Sequence, residues 1–283
     1  MNILVLGGSG FLGKRLLSKL ILSGGDIFAG VRSKPDDLVK DCTYLLINEL
    51  LDNKNYKFDI IINVAMKRST RRVPVTDEVL RELNFETPLK IISQLSTVNT
   101  LVINTSTYIQ NYGGVKGNTV ENYGYFKEQL SEALAIQAEK SKFRVIDLYL
   151  FTLFGPGDRE THLVPSLLSA LKSGNQISLS EGNQLINLLY VDDAVNSIVN
   201  AMGWKIESYS AFYLWDPNYL TVRNLVSIIE DTFMLKMDVV WGGVPYSGHE
   251  MFEPWDFPLT KFPHLTLEHS LTEGIKICFD ALN

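Results

Sequence analysis

Six short apolar runs punctuate the first half of the chain: NILVLG, IFAGV, TYLLI, DIIINVA, TLVINTS and FRVIDLYL. Between them lie stretches of helical periodicity, from about Phe11, over roughly 77–98 and from Tyr123 onward. Runs that are apolar on both faces are strands covered on both sides, which calls for a parallel sheet with helices over each face. The pattern predicts an α/β fold, a doubly wound parallel sheet. From about Gly155 it loosens into glycine, proline and aromatic residues, with helices near 163–173, after Asp192 and near 221–234. The expected division is a sheet domain over 1–155 with a return segment at about 187–217. A smaller, interleaved C-terminal substrate lobe takes 156–186 and 218–283.

Composition narrows the function classes. A net charge of −6 and a pI near 5.3 give no basic field for a phosphate backbone, so nucleic acid is not an expected partner. No apolar run approaches the roughly 18 residues of a membrane span. MNILVLGGSG lacks a basic leader and breaks at glycines, so no secretory signal is expected. The two cysteines, Cys42 and Cys278, give neither metal-ligand spacing nor a disulfide framework, and a cytoplasmic location is the expectation.

The first strand runs directly into LVLGGSGFLG, placing Gly7, Gly10 and Gly13 at the turn into the first helix. Glycines there let the backbone approach a pyrophosphate, and the helix N-terminus offers free N–H groups and partial positive charge. Gly7, Ser9, Gly10, Phe11, Leu12 and Gly13 are therefore the expected cofactor-binding turn of a Rossmann domain. After the second strand the chain reads GVRSK, with Arg32 where a carboxylate would grip an NAD ribose. A guanidinium pairs with a 2′-phosphate, so NADP(H) is expected over NAD(H).

In ENYGYFKEQL, Tyr123 and Lys127 stand four positions apart in a helix-favouring segment, on one face. Making a tyrosine a base at neutral pH takes a shift of about three units, roughly 4 kcal/mol. A positive charge about 4 Å away supplies a similar amount at an effective dielectric near 20. The pair suits acid/base chemistry on a hydroxyl or carbonyl. The same spacing recurs at Tyr112 and Lys116, but Gly113 and Gly114 make that segment a turn.

Together GGSGFLG (7–13), NVA (63–65), Asn84, TST (105–107), YGYFK (123–127), FGPGD (154–158) and YVDDA (190–194) resemble the extended short-chain dehydrogenase/reductase, or NAD-dependent epimerase/dehydratase, family. The resemblance implies Tyr123 as acid/base, Lys127 as its partner and holder of the nicotinamide ribose, and Ser106 as donor to the reacting oxygen. Val64 and Ala65 would line the cofactor; Thr107, the reserve candidate for the hydroxyl, and Thr152 would join Ser106 at the substrate. Lys67 reads as part of a charged surface loop.

Three departures shape the functional expectation. Thr107 and Tyr108 follow Ser106 where dehydratases carry Asp-Glu; Ile186 and Asn187 replace an Arg-Asp pair that holds a diphosphate; and the C-terminal lobe offers only His249 for a second arginine. The expected function is an NADP(H)-dependent ketoreductase acting on a small molecule, a sugar or nucleotide-linked sugar. A 4-epimerase and a cofactor-sensing binding protein remain as alternatives. Pairing of two copies through the helices near 77–98 and 123–139 is the family's habit.

Overall fold

The computed structural model describes residues 1–69, 73–140 and 142–282. The end of the MKRSTRR loop, 70–72, lies outside the described residues. The chain divides into two units, one formed by Met1–Leu150, Val195–Leu214 and Phe257–His264, the other by Phe151–Ala194, Trp215–Asp256 and Leu265–Asn283.

In the larger unit the apolar runs become β1 (Asn2–Leu6), β2 (Asp26–Val31), β3 (Thr43–Leu46), β4 (Ile60–Asn63), β5 (Leu101–Thr107) and β6 (Arg144–Leu150). The helices are α1 (Phe11–Leu22), α2 (Ile47–Asp52), α3 (Asp77–Arg81), α4 (Thr87–Leu95) and α5 (Asn122–Glu139). A seventh strand, Tyr209–Leu214, lies beside β6, giving the order Tyr209–Leu214, β6, β5, β4, β1, β2, β3 with every neighbour parallel. Every residue of β4 and β5 is buried, as two covered faces require. The helical stripes supply the cover: Leu16, Leu17 and Leu20 on α1, Ile91, Ile92 and Leu95 on α4, Leu130 and Leu134 on α5, all at zero exposure. Each such side chain contributes about 1.5–3 kcal/mol relative to leaving it in water.

Chain progression reverses direction between β1 and β4, and the strand ends there form the crevice in which open α/β sheets bind ligands. The single helix expected over 77–98 is instead α3, a π turn at Glu82–Glu86, and α4. Pro88, in the first turn of α4, has no N–H to return to the carbonyl four residues back, so an α-helical ladder cannot pass through unbroken.

The return segment of the larger unit is Val195–Leu214, shorter than expected, and Phe257–His264 forms a second return. There Tyr213 N–H donates to Thr260 C=O and Phe262 N–H to Tyr213 C=O, both at 2.9 Å. In the smaller unit the strand Thr152–Phe154 pairs in parallel with Leu188–Tyr190. Helices Leu163–Ser173, Val222–Phe233 and Leu271–Asp280 bring Leu167, Leu168, Leu225, Ile229 and Ile275 into its core.

Candidate active site

The glycine turn leaves β1 with Gly7 at φ +85°, its N–H donating to Gly30 C=O at 3.1 Å. A Cβ on Gly7 would lie 2.7 Å from the backbone of Ala65, and one on Gly13 would lie 2.1 Å from Gly7 O. Close approach of β1, α1 and the loop after β4 thus depends on bare backbone at these two positions. Gly10 caps α1 without a side chain, leaving N–H groups at the helix start for an anion. Ser9 and Gly10 are exposed, Phe11 is half-buried and Leu12 buried; across the crevice Val64 is buried and Ala65 half-buried. Arg32 stands exposed directly after β2. This cradle fits a dinucleotide: its walls are backbone, its floor is apolar, and a helix N-terminus opens into it.

Lys127 on α5 is almost fully buried, and its Nζ donates to the carbonyls of Ala65 and Thr105, each at 2.9 Å. The lysine therefore sits where the loop after β4 meets the end of β5. Tyr123, one turn earlier, is buried to 8% exposure and shares a hydrogen bond with the Thr107 hydroxyl.

Side chains alternate along β5, which separates the two candidate hydroxyls. Thr105 Oγ1 donates to Asn63 C=O at 2.9 Å and Thr107 faces Tyr123, whereas Ser106 turns to the opposite side. Ser106 Oγ donates to Asp147 Oδ1 at 2.6 Å and lies 2.8 Å from Ser131 Oγ, in a closed internal network. The structure thus brings Thr107, Tyr123 and Lys127 together and leaves Ser106 out. Thr107→Ala should lower turnover about 100-fold or more, in the range of a lost oxyanion donor, with Thr107→Ser retaining most activity. Ser106→Ala should cost stability instead, about 1–3 kcal/mol for a hydrogen bond lost to a buried carboxylate, read by denaturant melts beside initial rates.

Charge around the phenol differs from the expected arrangement. Burial pushes Tyr123 up to about 12, and the cation pulling against this is Arg68, aided by the Thr107 hydroxyl; Glu121 adds to the rise. Lys127 is itself pushed down to about 8 by burial, with Asp147 opposing. Arg68 is a site residue that sequence reasoning passed over. Its Nε and Nη2 fork onto the two oxygens of Glu121 at 2.9 and 2.6 Å, and Glu121 occupies the N-cap of α5 two residues before Tyr123. The signal was a basic residue just after NVA and an acidic one just before YGYFK.

Asn84, buried in the π turn, sets this loop. Its Oδ1 accepts from Lys67 N–H and its Nδ2 donates to Lys67 C=O, both at 2.8 Å, with a further donation to Leu80 C=O at 2.9 Å. Lys67 is thus gripped through its backbone, which fixes where Arg68 begins. π turns recur at functional positions because they swing one side chain out of the helical ladder. In the smaller unit, Thr152 is exposed at the start of its strand. Asn187 exchanges hydrogen bonds with the backbone of Asp216, at 2.5 and 3.1 Å, so it serves the lobe's own fold. Tyr112 lies in an irregular segment with ψ 136°, not on a helix with Lys116.

Comparison with known proteins agrees with this fold. The NAD dependent epimerase/dehydratase family matches residues 3–211. A CDP-abequose synthase of Yersinia pseudotuberculosis is 26% identical over 98% of this chain and 100% of its own length. A decarboxylating sterol-4-alpha-carboxylate 3-dehydrogenase of Candida albicans is 25% identical over 71% of this chain and 64% of its own. Among solved structures, a UDP-glucose 4-epimerase of Thermotoga maritima with UDP-glucose superposes with a TM-score of 0.83, at 17% identity over 99% of this chain and 98% of that one. With its glycine cradle, its Tyr123–Lys127 helix and a family match spanning most of its length, the chain belongs to the NAD dependent epimerase/dehydratase family.

Proposed function

We propose that the protein is an NADP(H)-dependent ketoreductase of the extended short-chain dehydrogenase/reductase type, acting on a keto group of a nucleotide-linked sugar. The observation that carries this reading is the placement of Tyr123 beside the Thr107 hydroxyl, one helical turn from a Lys127 held on the C=O of Ala65, the residue that closes against the Gly7 turn. A bound nicotinamide dinucleotide supplies hydride to the carbonyl carbon. Thr107 and Tyr123 hold the carbonyl oxygen, and Tyr123 gives it the proton that completes the alcohol. Lys127, held between Ala65 and Thr105, fixes the ribose side of the site. The phenol is protonated at neutral pH, the state in which the reductive direction needs it.

The likeness to CDP-abequose synthases favours a cytidine diphosphate sugar as the first substrate to try. The 4-epimerase is the second reading, favoured by the likeness in fold to UDP-sugar epimerases. Against it stand Ile186, which offers a desolvated diphosphate no partner, and the engagement of Asn187 with Asp216. Stoichiometry decides: with a panel of keto-sugar nucleotides the reductase consumes one NADPH per product. Interconversion of two epimers with catalytic cofactor and no net change at the nicotinamide band would establish the epimerase.

Arg32 supports the NADP(H) preference. Arg32→Asp should weaken NADPH binding by about 2–4 kcal/mol, through loss of a charge-assisted pair and gain of a like charge, and should spare NADH. Fluorescence titration of both cofactors tests this, and a wild-type preference for NADH would refute it. A cytoplasmic setting and pairing through the helical stretch 77–98 and α5 complete the reading. Val79, Tyr125 and Ile136 stand exposed on those helices, and no helix among the described residues is long and apolar enough to cross a membrane.

A further inference from the structure

Asp147 lies in the middle of β6 with no exposure at all, a carboxylate between apolar neighbours. Its Oδ1 accepts from Asn104 Nδ2 at 2.9 Å and Ser106 Oγ at 2.6 Å, and its Oδ2 from the Tyr209 hydroxyl at 3.2 Å. Asn104 is oriented in turn by Asn63 Nδ2, which donates to its Oδ1 at 2.8 Å. All of these donors are neutral. They fix the carboxylate in place and leave its charge unmatched.

Lys127 comes up beside this clamp: its Nζ is held on the C=O of Thr105, the residue of β5 that lies between Asn104 and Ser106, and the two charges oppose each other's burial. The Lys127 ammonium donates to two peptide carbonyls, those of Ala65 and Thr105, rather than to a carboxylate. A buried charge is retained only when something stabilises it or uses it. Hydrogen bonds to neutral groups offset part of the cost of burying Asp147 and Lys127, and an opposite charge offsets more. Asp147 on β6 and Lys127 on the helix packed over it supply that charge to each other.

We propose that Asp147 is a positioning residue for Lys127: clamped by Asn104, Ser106 and Tyr209, its carboxylate keeps the lysine charged on the dry floor of the site. The proposal rests on the role given to Lys127 above. Burial pushes Lys127 down to about 8 and Asp147 upward, and each is opposed by the other's charge. The remaining titratable neighbours do not take this part. Burial raises the phenols of Tyr123 on α5, Tyr149 on β6 and Tyr209 on the seventh strand, so they are uncharged near neutral pH. Glu128, next to Lys127 on α5, is raised by burial and further by Asp147, accepts from Gln110 at 2.7 Å, and is not among the groups that shift the lysine.

The test titrates the Lys127 side chain by NMR in cofactor-free protein carrying 13C at the lysine ε-carbon, with Lys127→Met assigning the resonance. In Asp147→Asn the midpoint should fall by about one pH unit or more, a tenfold loss of charged lysine at a given pH above it. Tyr209→Phe, a milder change available should Asp147→Asn fail to fold, should move it in the same direction by less, because a carboxylate short of a donor takes up a proton more readily. Glu128→Gln should leave it in place. An unmoved midpoint in the folded Asp147 variant, or in Tyr209→Phe where only that variant folds, overturns the proposal. A lower melting temperature without a moved midpoint marks a structural role only and overturns it equally. A moved midpoint with an unchanged pH dependence of turnover would instead remove Lys127 from the proposed mechanism and leave the Asp147–Lys127 pairing standing.

Discussion

Tyr123→Phe is expected to lower turnover by about 100- to 10,000-fold, the contribution of a positioned general acid, while cofactor affinity stays within a few-fold of wild type. The ring packs unchanged, and the loss is one hydrogen bond to Thr107, about 1 kcal/mol. Tyr112→Phe, outside the site, should leave turnover intact. The pH profile separates the two titrating groups. The phenol, raised to about 12, stays an acid throughout the accessible range, whereas Lys127 is charged below about 8 and loses its proton above. Reductive kcat/KM should therefore be level below about pH 8 and decline above it. A rise through that range would mean that a deprotonated group drives the reaction. Comparable losses in Tyr123→Phe and Tyr112→Phe would show that the wrong phenol has been chosen.

Gly13→Ala is expected to have the largest effect on the cofactor. A methyl there would meet Gly7 O at 2.1 Å, and because the obstacle is backbone, no rotamer change relieves it. α1 must move away from β1, destabilising the protein by about 1–3 kcal/mol as an overpacked site does. The same movement distorts the turn at Gly7 and should weaken dinucleotide binding at least 100-fold. Gly203→Ala is the control, since the nearest atom to its Cβ lies at 3.8 Å. Calorimetric titration together with thermal melts gives both quantities. A Gly13→Ala protein with wild-type affinity and melting temperature would mean that the close approach is not what the glycine is for.

The sheet was legible because its central strands are buried on both faces and read as apolar runs, IIIN being the clearest. The Tyr123–Lys127 pair was legible from spacing alone, since helical periodicity puts both on one face. The choice between Ser106 and Thr107 was harder. In TST every residue carries a hydroxyl, so composition cannot tell which face is which. The clue lay on another strand: an aspartate inside RVIDLYL needs buried partners, and Asn104 and Ser106, two apart on the adjacent strand, are the residues that reach it. Arg68 was obscured by the basic residues around it, because its distinguishing contacts are with Glu121, more than fifty positions away. Phe257–His264 could not be read as an extension of the sheet, because prolines at 258 and 263 interrupt any strand pattern.

Placement of the seventh strand bears on synthesis of the chain. Once Leu150 has left the ribosome, β6 is the bare edge of a six-stranded sheet, with open N–H and C=O groups that invite pairing with another chain. Its cover, Tyr209–Leu214, emerges about 60 residues later, a wait of roughly 3–12 s at ordinary rates of translation. During that interval the nascent protein has nearly all of its sheet and none of its edge protection. Truncations ending between Leu150 and Tyr209 would make the exposure permanent, and they should collect as aggregates rather than as a soluble half-protein.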